Sequence, residues 1–277
     1  MLPRVILKAK RARPFFGMHP WVYAGAIERV EGDATDGAEV DLVSHAGNFV
    51  ARGLYNSQSK IRVRLYTWDS SQSLDAAFFR AQLERAILLR REILRLPGAC
   101  RFVFSEADGL SGMTVDHFPH PQPLSQGERG AQGWLVVQFT SLALAKRREM
   151  LGDLLMELVQ PAGIYLRTER GIGQLEGLEL HDGPLRGDAP GVLTIDEHGL
   201  HIQVSLTEGQ KTGYYLDQRD NRVAVARLAH GRRMLDAFCY SGGFTLHAAR
   251  AGAASVLGID ASESALQLAR ANAELNG

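Results

Sequence analysis

Leu235-Asp236-Ala237-Phe238-Cys239-Tyr240-Ser241-Gly242-Gly243-Phe244, followed by the apolar run Val256-Leu257-Gly258-Ile259 that ends in Asp260, decides the reading of this 277-residue chain. The order is strand, glycine turn, helix, strand and acidic tip, which is how an α/β sheet builds a nucleoside-binding edge. Glycines at 242 and 243 remove side chains where the backbone turns from strand into helix, so that a ligand can approach the amides at the helix start. The G-x-G-x-x-G fingerprint is missing and no Gly-Lys-Ser/Thr follows, which disfavours NAD and nucleoside triphosphates. Asp260 lies seventeen residues beyond Gly243, near the spacing at which a carboxylate reaches ribose hydroxyls. Asp236, just before the turn, is placed to face an ammonium group. Ribose at one end and ammonium at the other describe S-adenosylmethionine; the alternative is a generic α/β turn with solvated aspartates.

Upstream, residues 208–222 are polar and aromatic, with little helical or strand period before Asp220. So many hydrogen-bonding groups next to the sheet predict a loop that lines the site. The alternative is a linker whose charges pair among themselves.

Hydrophobic residues make up 45% of the chain, enough for buried cores in two or three compact units. No apolar run approaches the ~20 residues that cross a bilayer, and the first residues carry no secretory stretch, so a soluble cytoplasmic protein is expected. Cys100 and Cys239 stand far apart with no ligand-spaced neighbours, which argues against a disulfide framework and a zinc site. Net charge is zero, yet residues 4–29 carry Arg4, Lys8, Lys10, Arg11, Arg13 and Arg29 against Glu28 alone. Such a strip attracts phosphate backbones, although composition alone favours a solvated face.

Residues 1 to about 70 read as short strands punctuated by glycine, which predicts a small β-barrel or rolled sheet. From 74 to 96 the period changes: Phe79, Leu83, Ala86, Ile87, Arg90 and Leu94 give one helical face, stopped by Pro97-Gly98. Strands at 102–104, 113–115, 134–139 and 164–166 around a helix at 144–159 predict a small α+β unit. Alternating prolines after His117 predict a protruding loop inserted between two hairpin strands, near 118–132. Residues 181–192 read as a second loop, and strands at 193–195 and 200–204 as a hairpin that opens the last domain. The boundaries expected are 1–72, 73–190 and 191–277.

Gln210-Lys211-Thr212-Gly213, the run Asp217-Gln218-Arg219-Asp220-Asn221-Arg222, and Phe238 to Phe244 resemble the RlmI-type family of S-adenosylmethionine-dependent rRNA large-subunit methyltransferases, which act on cytosine C5. His19-Pro20-Trp21-Val22-Tyr23 with Gly25-Ala26-Ile27 resembles the family's N-terminal PUA domain, an RNA-binding β-barrel. Glu106-Ala107-Asp108-Gly109-Leu110 and Glu176-Gly177-Leu178 resemble its central domain. The resemblance implies a multidomain α/β protein with an α+β middle: a PUA-like barrel, a small central domain and an incomplete Rossmann-like methyltransferase domain. It implies a cofactor site lined by Lys211, Thr212, Gly213, Tyr214, Asp217, Arg219, Asp236, Ser241, Gly242, Gly243, Asp260 and Ser262. It also turns the basic strip toward RNA, with Lys8, Lys10, Arg11, Arg13, His19 and Trp21 as contacts, and large-subunit rRNA as the partner.

The sequence departs from the family at Cys239, where a hydroxyl residue is usual, and at the proline loop, which replaces a tight turn. The family continues past the counterpart of Gly277 through further strands with an Asp-Pro-Pro motif and a cysteine near the target base. Methylation at cytosine C5 calls for a thiolate that adds to C6 and a base that removes the C5 proton, acting on a base taken out of its stack. Neither Cys100 nor Cys239 occupies the family's nucleophile position, and His19, His201 and His247 have no carboxylate at a recognisable spacing, His247 reading as structural. Two other readings stay open: a truncated RNA- and cofactor-binding product without activity, and methylation of a guanine nitrogen. Two parallel strands alone leave an apolar face and an open edge, which predicts self-association.

Overall fold

The computed structural model describes residues 1–119, 133–168, 170–179, 182–187, 191–207 and 213–277. The first unit holds β1 (Arg4–Leu7), α1 (Arg13–Phe16), β2 (Trp21–Tyr23), β3 (Ile27–Glu31), β4 (Glu39–Val43), β5 (Phe49–Tyr55) and β6 (Ile61–Thr67). They form one six-stranded sheet in the order β2-β6-β5-β4-β1-β3, with β1 and β4 parallel and the other pairs antiparallel. Alternate residues such as Val5 and Leu7, and Val40 and Leu42, point inward and are fully buried. The sequence pattern did not show β3, because its burial is partial and Glu28, Arg29 and Glu31 pair on the surface.

The second unit runs through α2 (Ala76–Leu88), β7 (Cys100–Phe104), β8 (Met113–Phe118), β9 (Trp134–Phe139), α3 (Leu142–Ala145), α4 (Arg148–Val159), β10 (Gly163–Arg167), α5 (Arg170–Glu176) and β11 (Gly183–Gly187). Asp75 caps α2 by accepting the Phe78 amide at 2.9 Å. The helix is shorter than expected: after Leu88 it widens into a π turn over Leu89–Ile93, and Leu94 is exposed. The helix expected at 144–159 is two, α3 and α4, and α4 ends at Gln160 in the left-handed region, just before Pro161. The sheet order is β11-β10-β9-β8-β7, with only β9 and β10 parallel. Part of the segment expected as a second loop is the edge strand β11, and α5 was not foreseen. β8 and β9 do pair as a hairpin, whose tip, with most of the proline loop, lies outside the described residues.

Side-chain alternation along β9 shows how this sheet is used. Leu135 and Val137 face the core made with α2 and α4, whereas Val136 faces a second core with Phe118 and Ala99. That second core is completed by β12 (Val192–Glu197) and β13 (Leu200–Ser205), an antiparallel hairpin, and by Tyr214 and Leu246. Both faces of the central sheet are therefore buried, which is why its middle strand β9 reads as a nearly continuous apolar run. The hairpin joins the central unit to the last one.

The last unit holds α6 (Arg219–Ala226), β14 (Arg233–Ala237), α7 (Gly243–Arg250), β15 (Ser255–Ile259) and α8 (Glu263–Asn276). β14 and β15 pair in parallel, Asp236 opposite Gly258, and α7 is the crossover. α8 docks on the free edge of β13 through two asparagines one turn apart. Asn272 accepts the Gln203 amide at 2.7 Å and donates to its carbonyl at 3.4 Å, while Asn276 does the same with His201 at 2.9 and 2.7 Å. Two side-chain amides thus stand in for a neighbouring strand. Leu235, Leu257 and Ile259 are exposed on β14 and β15, the apolar face anticipated from two strands. Among the described residues no helix is long and apolar enough to cross a membrane.

Candidate functional site

The turn from β14 into α7 carries unusual backbone. Phe238 and Tyr240 adopt φ of 65° and 49°, and Gly242 adopts 81° as the residue capping α7. Non-glycine residues rarely take such angles, and strain of this kind gathers at ligand sites. The Phe238 side chain is almost wholly exposed as a result, with 87% of its surface free.

Asp260, at the tip of β15, holds this turn. Its Oδ2 accepts the Tyr240 amide and its Oδ1 the Ser262 amide, each at 2.9 Å. Those two backbone bonds keep its carboxyl below the usual range, so it is anionic at neutral pH. A carboxylate has about four acceptor positions, and two remain for a ligand's hydroxyls. Ser262 is committed to structure, capping α8 through the Ala265 amide. Asp236 also braces the turn: its Oδ2 accepts both the amide and the hydroxyl of Thr245, at 3.0 and 2.7 Å. Both bonds fall on one oxygen, so an ammonium group would meet the other. The Ser241 hydroxyl is buried without a partner among the described residues, a polar atom waiting at the glycine turn. Carboxylates, an orphan hydroxyl and left-handed backbone at a helix start suit a ligand that carries both ribose and ammonium.

The segment before α6 meets this turn from the opposite side. The Tyr240 hydroxyl donates to the Gly213 carbonyl at 3.2 Å, and the Tyr215 and Tyr240 rings pack edge to face, centroids 5.7 Å apart. Gly213 lies at φ 103°, where an added Cβ would come within 2.7 Å of the Ser205 carbonyl oxygen. Lys211 and Thr212 lie outside the described residues.

Two side chains expected to face the cofactor, Tyr214 and Arg219, are turned elsewhere. Tyr214 is buried, its hydroxyl 3.3 Å from Glu197, because the second core takes its ring. Arg219 donates to the backbone carbonyls of Pro97 and Ala99, tying α6 to the central unit. Asp217 is exposed, and its charge is felt by Arg101 of β7. Gly243 has a role besides ligand approach: a Cβ there would meet the Tyr214 hydroxyl at 2.9 Å and Cδ of Arg222 at 3.0 Å.

His247, read as structural and without a carboxylate, has one: its Nε2 lies 3.0 Å from Oε1 of Glu197. Arg222 forks onto the same carboxylate at 2.7 and 2.8 Å. Burial works against ionisation of Glu197, but the bonds from His247 and Arg222 outweigh it and hold its carboxyl down to about 2. Nothing in sequence spacing links residues 197, 222 and 247; only the hairpin brings them together.

Both thiols are shielded. Burial pushes the Cys100 thiol up to about 11. Burial also raises Cys239, helped by the charges of Asp236 and Asp260. Neither is a ready nucleophile. Among the described residues no group of three or more His, Cys, Asp or Glu gathers as a metal site.

On the first unit, Lys8, Lys10, Arg11, Arg13 and His19 are exposed, beside exposed Phe16, Met18 and Tyr23. Trp21 departs from the expectation: its indole N–H donates to Glu106 at 2.9 Å, so it serves the junction with the central unit. Arg64 fills the same junction, bonded to Glu106, Glu176, Ser111 and the Thr140 carbonyl.

Comparison with known proteins agrees with this architecture. Residues 5–68 match the PUA-like domain family, and residues 183–277 match the S-adenosylmethionine-dependent methyltransferase family. Ribosomal RNA large subunit methyltransferase I of Escherichia coli K12 is 38% identical over 279 residues, covering 100% of this chain and 67% of that protein. The same protein from the O127:H6 strain E2348/69 gives the same identity and coverage. Among solved structures, SMU.776 in complex with SAH superposes with a TM-score of 0.80 at 20% identity, over 100% of this chain and 67% of that one. At that identity the likeness speaks for the fold.

Proposed function

The chain belongs to the ribosomal RNA large subunit methyltransferase I family, and from that premise we propose that it methylates C5 of a cytosine in large-subunit rRNA, in the cytoplasm. It is a class I S-adenosylmethionine-dependent rRNA methyltransferase with an N-terminal PUA-like domain. The match of this whole chain to two thirds of these relatives carries the rRNA methyltransferase reading, and the likeness of its turn and loop motifs to a cytosine-C5 family supports the choice of atom. Residues 1–72, 73–190 and 191–277 are assigned as RNA-binding, central and methyltransferase domains.

When bound, S-adenosylmethionine supplies an electrophilic methyl group. Asp260 is the acceptor for ribose hydroxyls, and Asp236 offers its second oxygen to the ammonium group. Ser241 and Gly242 line the turn, Tyr240 and Gly213 close it from above, and Lys211 and Thr212 are assigned to the same wall. The basic strip of Lys8, Lys10, Arg11 and Arg13, with His19 beside it, tracks the RNA backbone. Neither thiol of this chain is assigned as the nucleophile, because both are buried with raised pKa; the thiolate that C5 chemistry needs is assigned to the cysteine that the family carries past the counterpart of Gly277, in the third of those relatives that this match does not cover.

Large-subunit rRNA tritiated at cytosine C5 tests the acceptor atom. Methylation at C5 replaces that hydrogen, so methyl transfer by the 277-residue chain releases tritium to water in equal amount. Transfer without release would place the methyl elsewhere, as on a guanine nitrogen. RNA and SAH binding with no transfer would mark this chain as a binding product without activity.

A further inference from the structure

One buried polar cluster lies just behind the cofactor turn. Glu197, at the end of β12, has its carboxylate filled by the Arg222 fork, by His247 and by the Tyr214 hydroxyl. Its side chain is 2% exposed and that of Arg222 3%. These partners come from separate pieces of chain: Tyr214 from the segment over the turn, Arg222 from α6, and His247 from α7. Arg222 reaches on to the Tyr215 carbonyl at 3.0 Å and lies over the Tyr214 ring at 4.5 Å. Tyr214 in turn occupies the space left by the missing side chain of Gly243.

We propose that Glu197 is a positioning residue for the cofactor site, clamping the 213–222 segment against the first turn of α7. The segment and the turn touch at the Tyr240–Gly213 hydrogen bond and the Tyr215–Tyr240 ring contact. Both contacts sit within two residues of a group bonded to Glu197 or Arg222. A buried carboxylate that joins three elements fixes their separation more narrowly than apolar packing does, because each bond has a required length and direction. Gly243 follows from the same logic, since a methyl group at 243 would push Tyr214 and Arg222 out of the clamp. The proposal rests on the 238–243 turn being the S-adenosylmethionine site.

The test uses the full chain, with SAH as probe in calorimetry and hydrogen exchange as an independent readout. Glu197→Gln keeps the shape and removes the charge; it should weaken SAH at least tenfold and speed amide exchange across residues 213–216. RNA affinity, which reads the first unit, should stay within twofold, whereas general loss of folding would move both. If Glu197→Gln does not fold, His247→Leu, which leaves the Arg222 fork intact, should weaken SAH about threefold with the same exchange signature. SAH affinity within twofold of the unmodified chain in the folded variant would overturn the proposal, as would unchanged exchange over 213–216. No SAH binding to the unmodified chain would instead overturn the cofactor reading, and the exchange comparison would still decide whether the clamp exists.

Discussion

Asn272 and Asn276 offer a test of how burial sets the worth of a hydrogen bond, because they make the same pair of bonds to alternate residues of β13. Asn272 is fully buried and also donates to the Ser241 carbonyl at 3.1 Å, whereas Asn276 and His201 sit at the surface. Asn272→Ala strands the buried Ser241 carbonyl and the part-buried Gln203 amide. An unsatisfied buried group costs about 1–3 kcal/mol, so two cost about 3 kcal/mol in all. Asn276→Ala removes bonds that water takes over, and should cost about 0.5–1 kcal/mol. For a domain of this size about 3 kcal/mol lowers the midpoint by roughly 6–12 °C, against about 2 °C for the surface variant. Trp134 packs against the core that holds the hairpin, so its fluorescence reports unfolding there, and exchange at the Gln203 and His201 amides reports each docking bond. Asn272→Ala should speed exchange at Gln203 by about two orders of magnitude, following from the same ~3 kcal/mol. Equal costs for the two variants, or a loss under about 1 kcal/mol at Asn272, would refute the claim that burial of these bonds docks α8.

Glu197 makes stability depend on acid. Its folded carboxyl lies at about 2 against an ordinary 4.5, so its contribution is complete above pH 4.5 and is lost as pH falls toward 2, a total of about 3 kcal/mol. Urea midpoints followed by Trp134 fluorescence between those pH values should fall steeply in the unmodified chain and less in Glu197→Gln. Asp260→Asn should weaken SAH about 10- to 100-fold, as expected for a hydrogen bond to a charged group, and should also lower the calorimetric midpoint by a few degrees, because asparagine can accept only one of the Tyr240 and Ser262 amides. Replacing Lys10, Arg11 and Arg13 by glutamate should lower RNA affinity and reduce the slope of log affinity against log salt by about 2, leaving SAH binding unchanged. Leu257→Lys, on the exposed apolar face of β14 and β15, should shift sedimentation toward monomer at high protein concentration.

Much of this protein was legible from local pattern. The Leu235–Gly243 turn and the apolar run to Asp260 specify a parallel strand pair with a glycine crossover, because strand period, positive φ at glycine and helix initiation all act within a few residues. The basic strip and the alternating strands of the first unit were visible for the same reason. Helix lengths were less so: α2 was overextended because Leu94 kept the apolar spacing after the helix had widened at Leu89–Ile93. β3 and β11 escaped because edge strands bury too little to impose alternation.

What only the tertiary structure decided is which polar groups share a site. Trp21 and Arg219 read as RNA and cofactor contacts until the fold set their donors against Glu106 and the Pro97 carbonyl of the central unit. Tyr214 belonged to a site motif by sequence and to a buried clamp by structure, and His247 gained a carboxylate fifty residues away. A hydrogen bond needs partners within about 3 Å and imposes no spacing along the chain. The sequence determined the glycine turn itself; the hairpin lodged between the central sheet and α7 determined what holds it.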